Sequence, residues 1–108
     1  LEALLDTGAA VSLLDFSLHQ QWTTGVKLTD GKDWALTTAS GGRLQVHGTA
    51  LLHASVGGVE VTARVLLVKG LQPATIIGAD TLVEWQAKVD LNSKELEWAK
   101  GPAVKLIA

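Results

Sequence analysis

Residues 4–10 read Leu4-Leu5-Asp6-Thr7-Gly8-Ala9-Ala10, and the rest of the chain can be interpreted outward from this segment. Apolar residues run into an acid, which is followed by a hydroxyl residue, a glycine and two alanines. Because small residues let the backbone turn tightly, this order predicts a buried strand over 1–5 and a turn over 7–9. The strand would deliver the carboxylate of Asp6 into that turn. Alone, an Asp-Thr-Gly tripeptide is weak evidence, because short motifs often match by chance.

The second informative segment is Ile76-Ile77-Gly78-Ala79-Asp80, where another apolar run ends in glycine. Residues 75–77 are expected to form a buried strand. A helix is predicted over 80–86, with Asp80 as its N-terminal cap. The apolar side of this helix is expected to consist of Leu82, Val83 and Trp85.

The rest of the chain predicts short strands joined by tight turns, because turn residues separate alternating or apolar runs. Residues 66–68 lose the alternation and are expected to be covered on both faces. Three hairpins are predicted: 34–38 with 43–46 around Ala39-Ser40-Gly41-Gly42, 49–56 with 59–68 around Gly57-Gly58, and 87–91 with 95–98 around Asn92-Ser93-Lys94. The remaining predictions are a strand at 11–14, a helical turn or irregular loop at 16–22, a strand at 26–28, a chain break at Gly101-Pro102 and an apolar tail at 103–108.

Composition limits the classes of function. The 108 residues suffice for one domain, and a chain that is 47% hydrophobic and 19% charged is not disordered. A net charge of −2 argues against nucleic acid as the partner, and no apolar run approaches the ~20 residues of a membrane span. No secretory signal pattern occurs. Without cysteine, disulfides, thiolate zinc sites and cysteine nucleophiles are excluded. The scattered His19, His47 and His53 predict no metal site, and no cofactor is expected.

Three segments together resemble a known family. Glu2 to Ala9 resembles the active-site signature of retropepsin-type aspartic proteases, which are encoded by retroviruses, by retrotransposons and by some cellular genes derived from them. Ile76 to Asp80 resembles the second signature of that family, and 87–90 with the following hairpin is similar to retrotransposon members. The resemblance covers residues 1–98. It implies a mostly β, closed barrel-type acid protease fold with one short C-terminal helix.

The resemblance also implies hydrolysis of peptide bonds by two carboxyl groups. One accepts a proton from water while the other polarises the scissile carbonyl. Like charges about 3 Å apart cannot both ionise, an effect for which aspartic proteases are the standard example. The sequence has only one Asp-Thr-Gly, and Asp80 is not a second copy. A second chain must supply the other carboxyl group, which predicts a symmetric homodimer with both Asp6 residues at its axis.

Further roles follow from the resemblance. In the catalytic triplet of Asp6, Thr7 and Gly8, Thr7 would hydrogen-bond across the axis and Gly8 would donate its N–H toward the carboxylates. The glycine-tipped first hairpin would act as a flap that closes over substrate. Gly78 would pack its backbone against the catalytic loop. The substrate would be an extended polypeptide added as a strand, with apolar residues beside the cut bond. Its expected contacts are Ala9, Ala10, Val11, Leu36, Ala39, Ser40, Gly41, Gly42 and Ile77.

The sequence departs from the family at two places. Many viral members carry a charged pair at the positions of Ala10 and Ala79, and the paired loss leaves neither charge alone. The family also has one or two strands before Glu2, without which an exposed edge is expected beside the active site. We therefore expect a protease-like domain at 1–98 and a tail at 99–108 that is a candidate dimer-interface strand. Either the first strands of the domain lie upstream of Leu1, or dimerisation relies on residues 103–108.

The expected function is an aspartic endopeptidase that processes a retroelement polyprotein, in the cytoplasm or within a virus-like particle. The competing prediction is a non-catalytic, retroelement-derived module that keeps the fold for dimerisation or peptide binding. A third interpretation is a monomeric β-domain in which Asp-Thr-Gly is incidental.

Overall fold

Strands dominate the part of the chain that this computed structural model describes, which is residues 3–29, 35–37 and 41–105. Two short helices occur there, α1 (His19–Trp22), preceded by a 3-10 turn at Phe16–Leu18, and α2 (Ala79–Glu84). Neither helix is long and apolar enough to cross a membrane. The strands are β1 (Leu4–Leu5), β2 (Leu13–Asp15), β3 (Thr23–Leu28), β4 (Ala35–Thr37), β5 (Arg43–Val56), β6 (Val59–Val68), β7 (Thr75–Ile77), β8 (Lys88–Asp90), β9 (Glu95–Trp98) and β10 (Gly101–Lys105).

The larger sheet places the two informative segments side by side. Its order is β1-β7-β2-β6-β5-β3, with β4 pairing β5 off this path. β7 lies between β1, to which it is parallel, and β2, to which it is antiparallel. Leu5 stands opposite Ile77 in the parallel pair. Because parallel strands end at the same edge, the chain leaves β1 at Asp6 and β7 at Gly78 next to each other.

One long strand, β5, serves both predicted hairpins of the central region. It pairs with β4 near its start and with β6 along most of its length. The prediction of separate strands at 43–46 and 49–56 is therefore wrong, because the chain bulges between Val46 and Gly48 instead of stopping. A Cβ on Gly48 would lie 2.7 Å from the Lys27 carbonyl oxygen of β3, which explains the glycine. The predicted turn at Gly57-Gly58 is confirmed, with φ of 57° and 81°.

A second sheet, ordered β10-β9-β8, contains the C-terminal region. The predicted chain break at Gly101-Pro102 is wrong, because both residues lie within β10. As an edge strand, β10 tolerates a proline that lacks an N–H, and its ladder is irregular between Gly101 and Val104. The Pro102 carbonyl oxygen accepts a hydrogen bond from Nε1 of Trp98, at 2.9 Å. The tail beyond Lys105 lies outside the described residues, and its role at a dimer interface stays a prediction.

The main core joins the two sheets to α2. Trp85 of α2's C-terminal end and Trp98 of β9 meet edge-on, with ring centroids 5.6 Å apart. Buried and exposed side chains alternate along most of β6, so one face of this strand points into the core. As predicted, Leu67 and Val68 are fully buried. The buried members of this core are Leu14, Ala50, Leu52, Val61, Ala63, Val65, Leu67, Ile77, Leu82, Trp85, Leu96 and Trp98.

Helix α2 begins one residue earlier than predicted and ends two residues sooner. Its N-cap is Gly78, so Asp80 lies within the first turn and does not cap the helix. Leu82 and Trp85 are buried as expected, whereas Val83 is 74% exposed, contrary to the prediction. The chain turns away from the helix at Gln86, where φ is 50°.

Candidate active site

The Asp-Thr-Gly loop starts where the parallel pair of strands ends. The Asp6 amide donates to the Ile77 carbonyl oxygen at 2.9 Å, which extends the β1–β7 ladder by one bond. The Ala9 amide then donates to the Asp6 carbonyl oxygen at 3.1 Å and closes the turn. These two hydrogen bonds fix the backbone of Asp6 on both sides, at its amide and at its carbonyl oxygen.

One oxygen of the Asp6 carboxylate is held by the loop itself. The Gly8 amide donates to Oδ1 at 2.9 Å. Among residues 3–29, 35–37 and 41–105, no other group hydrogen-bonds to this carboxylate, so Oδ2 is open. Asp6 is partly buried, while Thr7 and Gly8 are exposed at the tip of the loop. A Cβ on Gly8 would lie 3.2 Å from Oδ1, so glycine leaves room for the carboxylate.

The loop packs tightly onto the residues that follow β7. A Cβ on Gly78 would lie 2.7 Å from the Val11 carbonyl carbon and 2.8 Å from the Ala9 carbonyl oxygen, and closer still to the Val11 oxygen. The predicted close packing of Gly78 against the loop is therefore confirmed. Two amides of α2 also bond to the loop: Ala79 donates to the Ala9 oxygen at 2.7 Å, and Asp80 to the Ala10 oxygen at 3.3 Å.

The side chain of Asp80 binds Ser12 at the exit of the loop and does not cap α2. Its Oδ1 accepts from the Ser12 hydroxyl at 2.8 Å, and its Oδ2 from the Ser12 amide at 3.3 Å. The Ser12 hydroxyl also accepts from the Gly78 amide at 2.9 Å and contacts the Thr81 hydroxyl at 2.8 Å. Sequence reasoning missed Ser12. Its signal was a hydroxyl inside the apolar run 11–14, because a buried polar group needs partners.

The predicted substrate contacts fall on two faces of β7. Val11, Leu36 and Ile76 are partly buried and pack against the same smaller apolar cluster. Ile77, which was predicted to line the site, is 4% exposed and lies in the main core instead. The alternation of side chains along a strand explains the difference, because neighbours point to opposite faces. Ala9 is partly buried and Ala10 is exposed on the loop.

The first hairpin is confirmed in its stem. Leu36 stands opposite Leu44 and Thr37 opposite Arg43. Leu44 belongs to the same apolar cluster as Val11, so the stem lies on the loop's side of the sheet. Of the predicted tip, Gly41 and Gly42 are exposed, with a φ of 88° at Gly41, whereas Ala39 and Ser40 lie outside the described residues. Closure of this hairpin over a substrate stays a prediction.

Two carboxyl groups away from the loop have shifted pKa values. Burial raises the pKa of Asp15, but hydrogen bonds from the Ser17 hydroxyl and the Leu71 amide, with smaller backbone contributions, outweigh it and hold the pKa below 3.8. The amides of Ser93 and Asn92 lower the pKa of Asp90. Within the described part of the chain, no group of three or more His, Asp or Glu side chains is placed to hold a metal ion.

A cavity lies on the other face of β7. Its volume is about 750 Å3, and Asp6 does not line it. Thr75 and Ile77 face it from β7, and Leu4 and Leu5 from β1. The Thr75 hydroxyl is fully buried and lacks a hydrogen-bond partner among the described residues. This apolar cavity belongs to the core side of the sheet and not to the loop.

The chain has the retropepsin-like fold, as predicted, although barrel closure and dimerisation stay predictions. Its structure is similar to the retroviral protease-like domain of Ddi1 from Leishmania major, with a TM-score of 0.76 and 19% identity over 98% of this chain and 83% of that one. It is also similar to EIAV protease complexed with the inhibitor HBY-793, with a TM-score of 0.59 and 24% identity over 82% of this chain and 80% of that one. At these identities the likeness concerns the fold alone. No protein-family model and no curated protein matches the sequence.

Proposed function

We propose that the chain is an aspartic endopeptidase that acts as a homodimer. The observation that carries this proposal is the state of the Asp6 carboxylate. One of its oxygens is held by the Gly8 amide, and the other has no partner among the described residues. The loop that carries it is fixed to Gly78 and α2, within a retropepsin-like fold.

The loop tip supports the dimer. Thr7 and Gly8 are exposed in the single chain, so a second copy can approach them directly. A two-fold axis at this tip brings two identical carboxyl groups together from one sequence motif. Without that second copy, the single Asp6 lacks the partner acid that carboxylate-catalysed peptide hydrolysis requires.

The proposed reaction uses the two Asp6 side chains in different protonation states. The ionised carboxylate takes a proton from a bound water, whose oxygen attacks the scissile carbonyl carbon, while the protonated carboxyl donates its proton to the carbonyl oxygen. Collapse of the tetrahedral intermediate breaks the C–N bond, and the amine leaves with a proton supplied by the acid pair. Because the pair must hold one proton, activity should be highest at mildly acidic pH and fall on both sides.

The substrate is proposed to be an extended polypeptide with apolar residues at the cleavage site. Val11, Leu36 and Ile76 form an apolar surface beside the loop. We assign Ile76 as the substrate contact from β7 in place of Ile77, because the Ile77 side chain points to the opposite face of the strand and into the main core. Ala10 and Ala79 add no charge there. In the biological setting the substrate is proposed to be a polyprotein that contains this domain.

The test compares wild type with Asp6→Asn on a peptide with an apolar cleavage site. Asn has nearly the same shape as Asp but cannot serve as the acid or base, so turnover should fall by at least about 1,000-fold. Asp90→Asn is the matched control, because among the described residues the Asp90 carboxylate accepts its hydrogen bonds from its own turn, at the amides of Asn92 and Ser93. Equal turnover by wild type and Asp6→Asn would contradict the mechanism.

The same preparations distinguish the alternative functions. Wild-type protein that binds the peptide without cutting it, at any pH from 4 to 7, would support a non-catalytic peptide-binding module. Sedimentation that shows only monomer at high concentration, with a substrate analogue present, would support a monomeric β-domain.

A further inference from the structure

The buried hydroxyl of Ser12 is a junction between the catalytic loop and helix α2. Ser12 is 1% exposed and Thr81 is 2% exposed, so little water reaches the contact between them. Three groups surround the Ser12 Oγ: the Gly78 amide at 2.9 Å, Asp80 Oδ1 at 2.8 Å and Thr81 Oγ1 at 2.8 Å.

The chemistry of these groups fixes the direction of each hydrogen bond. A hydroxyl has one proton to donate and two lone pairs that accept. The Gly78 amide can only donate, and an ionised Asp80 carboxylate can only accept, so the Ser12 proton points to Asp80. The Thr81 hydroxyl must then donate to Ser12. All three positions around the Ser12 oxygen are filled in this arrangement, and none of the buried donors is left unpaired.

The arrangement also needs a carboxylate at position 80. Oδ1 accepts from the Ser12 hydroxyl and from the Thr81 amide, the latter at 2.7 Å. Oδ2 accepts from the Ser12 amide at 3.3 Å. In an asparagine, one of these oxygens becomes an NH2 group and faces an N–H or O–H donor. Asp and Asn are therefore not equivalent at position 80 of this chain.

We propose that Ser12 and Asp80 are positioning residues that hold the Asp6 carboxylate in its productive place, with a carboxylate required at position 80. The inference rests on the proposed function. Backbone bonds hold the loop at Asp6, Ala9 and Ala10, and the Ser12 junction closes this series at the loop's exit. Loss of the junction loosens that exit, and the displacement reaches Asp6 through the five-residue segment between them.

The experiment uses the full chain and measures kcat and KM for Asp80→Asn, Ser12→Ala and Ser12→Thr. A displaced reacting group lowers kcat about 10- to 100-fold while KM changes about threefold or less. We expect this pattern for Asp80→Asn and Ser12→Ala. Ser12→Thr, which keeps the hydroxyl, should retain kcat within about threefold. Asp90→Asn is the control for an Asp side chain that accepts two amide hydrogen bonds elsewhere, and it should leave kcat unchanged.

Amide hydrogen exchange tests the same inference without relying on catalysis. In Asp80→Asn, the amides of Asp6, Gly78 and Ala79 should exchange at least about tenfold faster, while the amide of Val65 in β6 keeps its wild-type rate. Unchanged exchange at these amides, or a folded Asp80→Asn with wild-type kcat, would overturn the inference. If the wild type is inactive, the proposed function fails, but faster exchange confined to the loop still supports the junction.

Discussion

Gly78 lies so close to the Val11 carbonyl group that no side chain fits between them. A methyl group at position 78 would meet backbone atoms of Val11 and Ala9, which cannot rotate away as side chains do. Gly78→Ala must therefore push the loop off α2 or distort β7. We expect it to lower the free energy of unfolding by ~2–4 kcal/mol, measured by urea denaturation, and to abolish peptide cleavage.

Gly8→Ala is the matched comparison for that variant. Its Cβ would lie 3.2 Å from the Asp6 Oδ1, which belongs to a side chain that can move. The cost in stability should stay within ~1 kcal/mol, while kcat falls because the carboxylate is displaced. Equal stability losses in the two variants would show that the contacts of Gly78 are not special.

The sequence predicted the elements around the catalytic loop better than their side-chain faces. The apolar runs ending at Asp6 and Gly78 indicated two strands, and both occur, parallel and in contact. The expected burial is right for Ile77 of β7 but wrong for β1, which lies at the edge of the described sheet with Leu4 46% exposed. Predictions from the local sequence pattern failed where contacts with distant parts of the chain determine the strand boundaries. Residues 43–46 and 49–56 were predicted to be separate strands, but the chain bulges between Val46 and Gly48 and continues as one strand, β5. The sequence did not indicate that the Lys27 backbone lies against Gly48.

The same limit applies to individual site residues. Asp80 has the residue type of a helix cap, yet its carboxylate is held by Ser12, which is 68 positions away. In a three-residue strand such as β7, both isoleucines are apolar, so sequence alone does not distinguish the core face from the loop face. In the structure, Ile76 is assigned to the loop face because it packs against the same cluster as Val11 and Leu36.

Thr75→Val should stabilise the protein. The Thr75 side chain is fully buried, and its hydroxyl finds no partner among the described residues. An unpaired buried hydroxyl costs free energy that valine, of nearly the same shape, does not. We expect an increase of ~1 kcal/mol in the free energy of unfolding. Thr81→Val is the control, because its hydroxyl is bonded to Ser12 and its loss should destabilise by a similar amount.

Thr75→Val that destabilises as much as Thr81→Val would contradict this assignment. Thermal denaturation monitored by tryptophan fluorescence is suitable, because Trp85 lines the same cavity. The pair of variants removes one hydroxyl each from a threonine, so differences in side-chain entropy largely cancel.

The lowered pKa of Asp15 predicts a loss of stability in acid. The hydrogen bonds from Ser17 and Leu71 favour the ionised form in the folded state. Because the folded pKa lies below the unfolded value, the stabilisation is present above pH ~4 and disappears as pH falls through the folded pKa. At pH 7, Asp15→Ala should cost ~1 kcal/mol, since Asp15 also caps the following 3-10 turn.

The measurement is urea denaturation of wild type and Asp15→Ala between pH 7 and pH 3. The difference between them should shrink as the pH drops below about 4. Glu60→Ala, an exposed acid on β6, is the control for a general effect of removing negative charge. A difference that stays constant over this range would mean that Asp15 contributes through packing and not through its charge.

Mixing wild type with Asp6→Asn tests whether the site is shared between two chains. If both carboxyl groups are needed and subunits exchange freely, only dimers of two wild-type chains are active. At equal amounts they form about a quarter of all dimers, so activity per total protein should fall to about a quarter of the wild-type value. A catalytic monomer would instead retain about half, because each wild-type chain works alone.

The assay holds total protein fixed and varies the mutant fraction, with Asp90→Asn in place of Asp6→Asn as the control that should leave activity unchanged. Activity that declines linearly with the mutant fraction, under conditions where sedimentation shows dimers that exchange, would exclude a site built from two Asp6 residues.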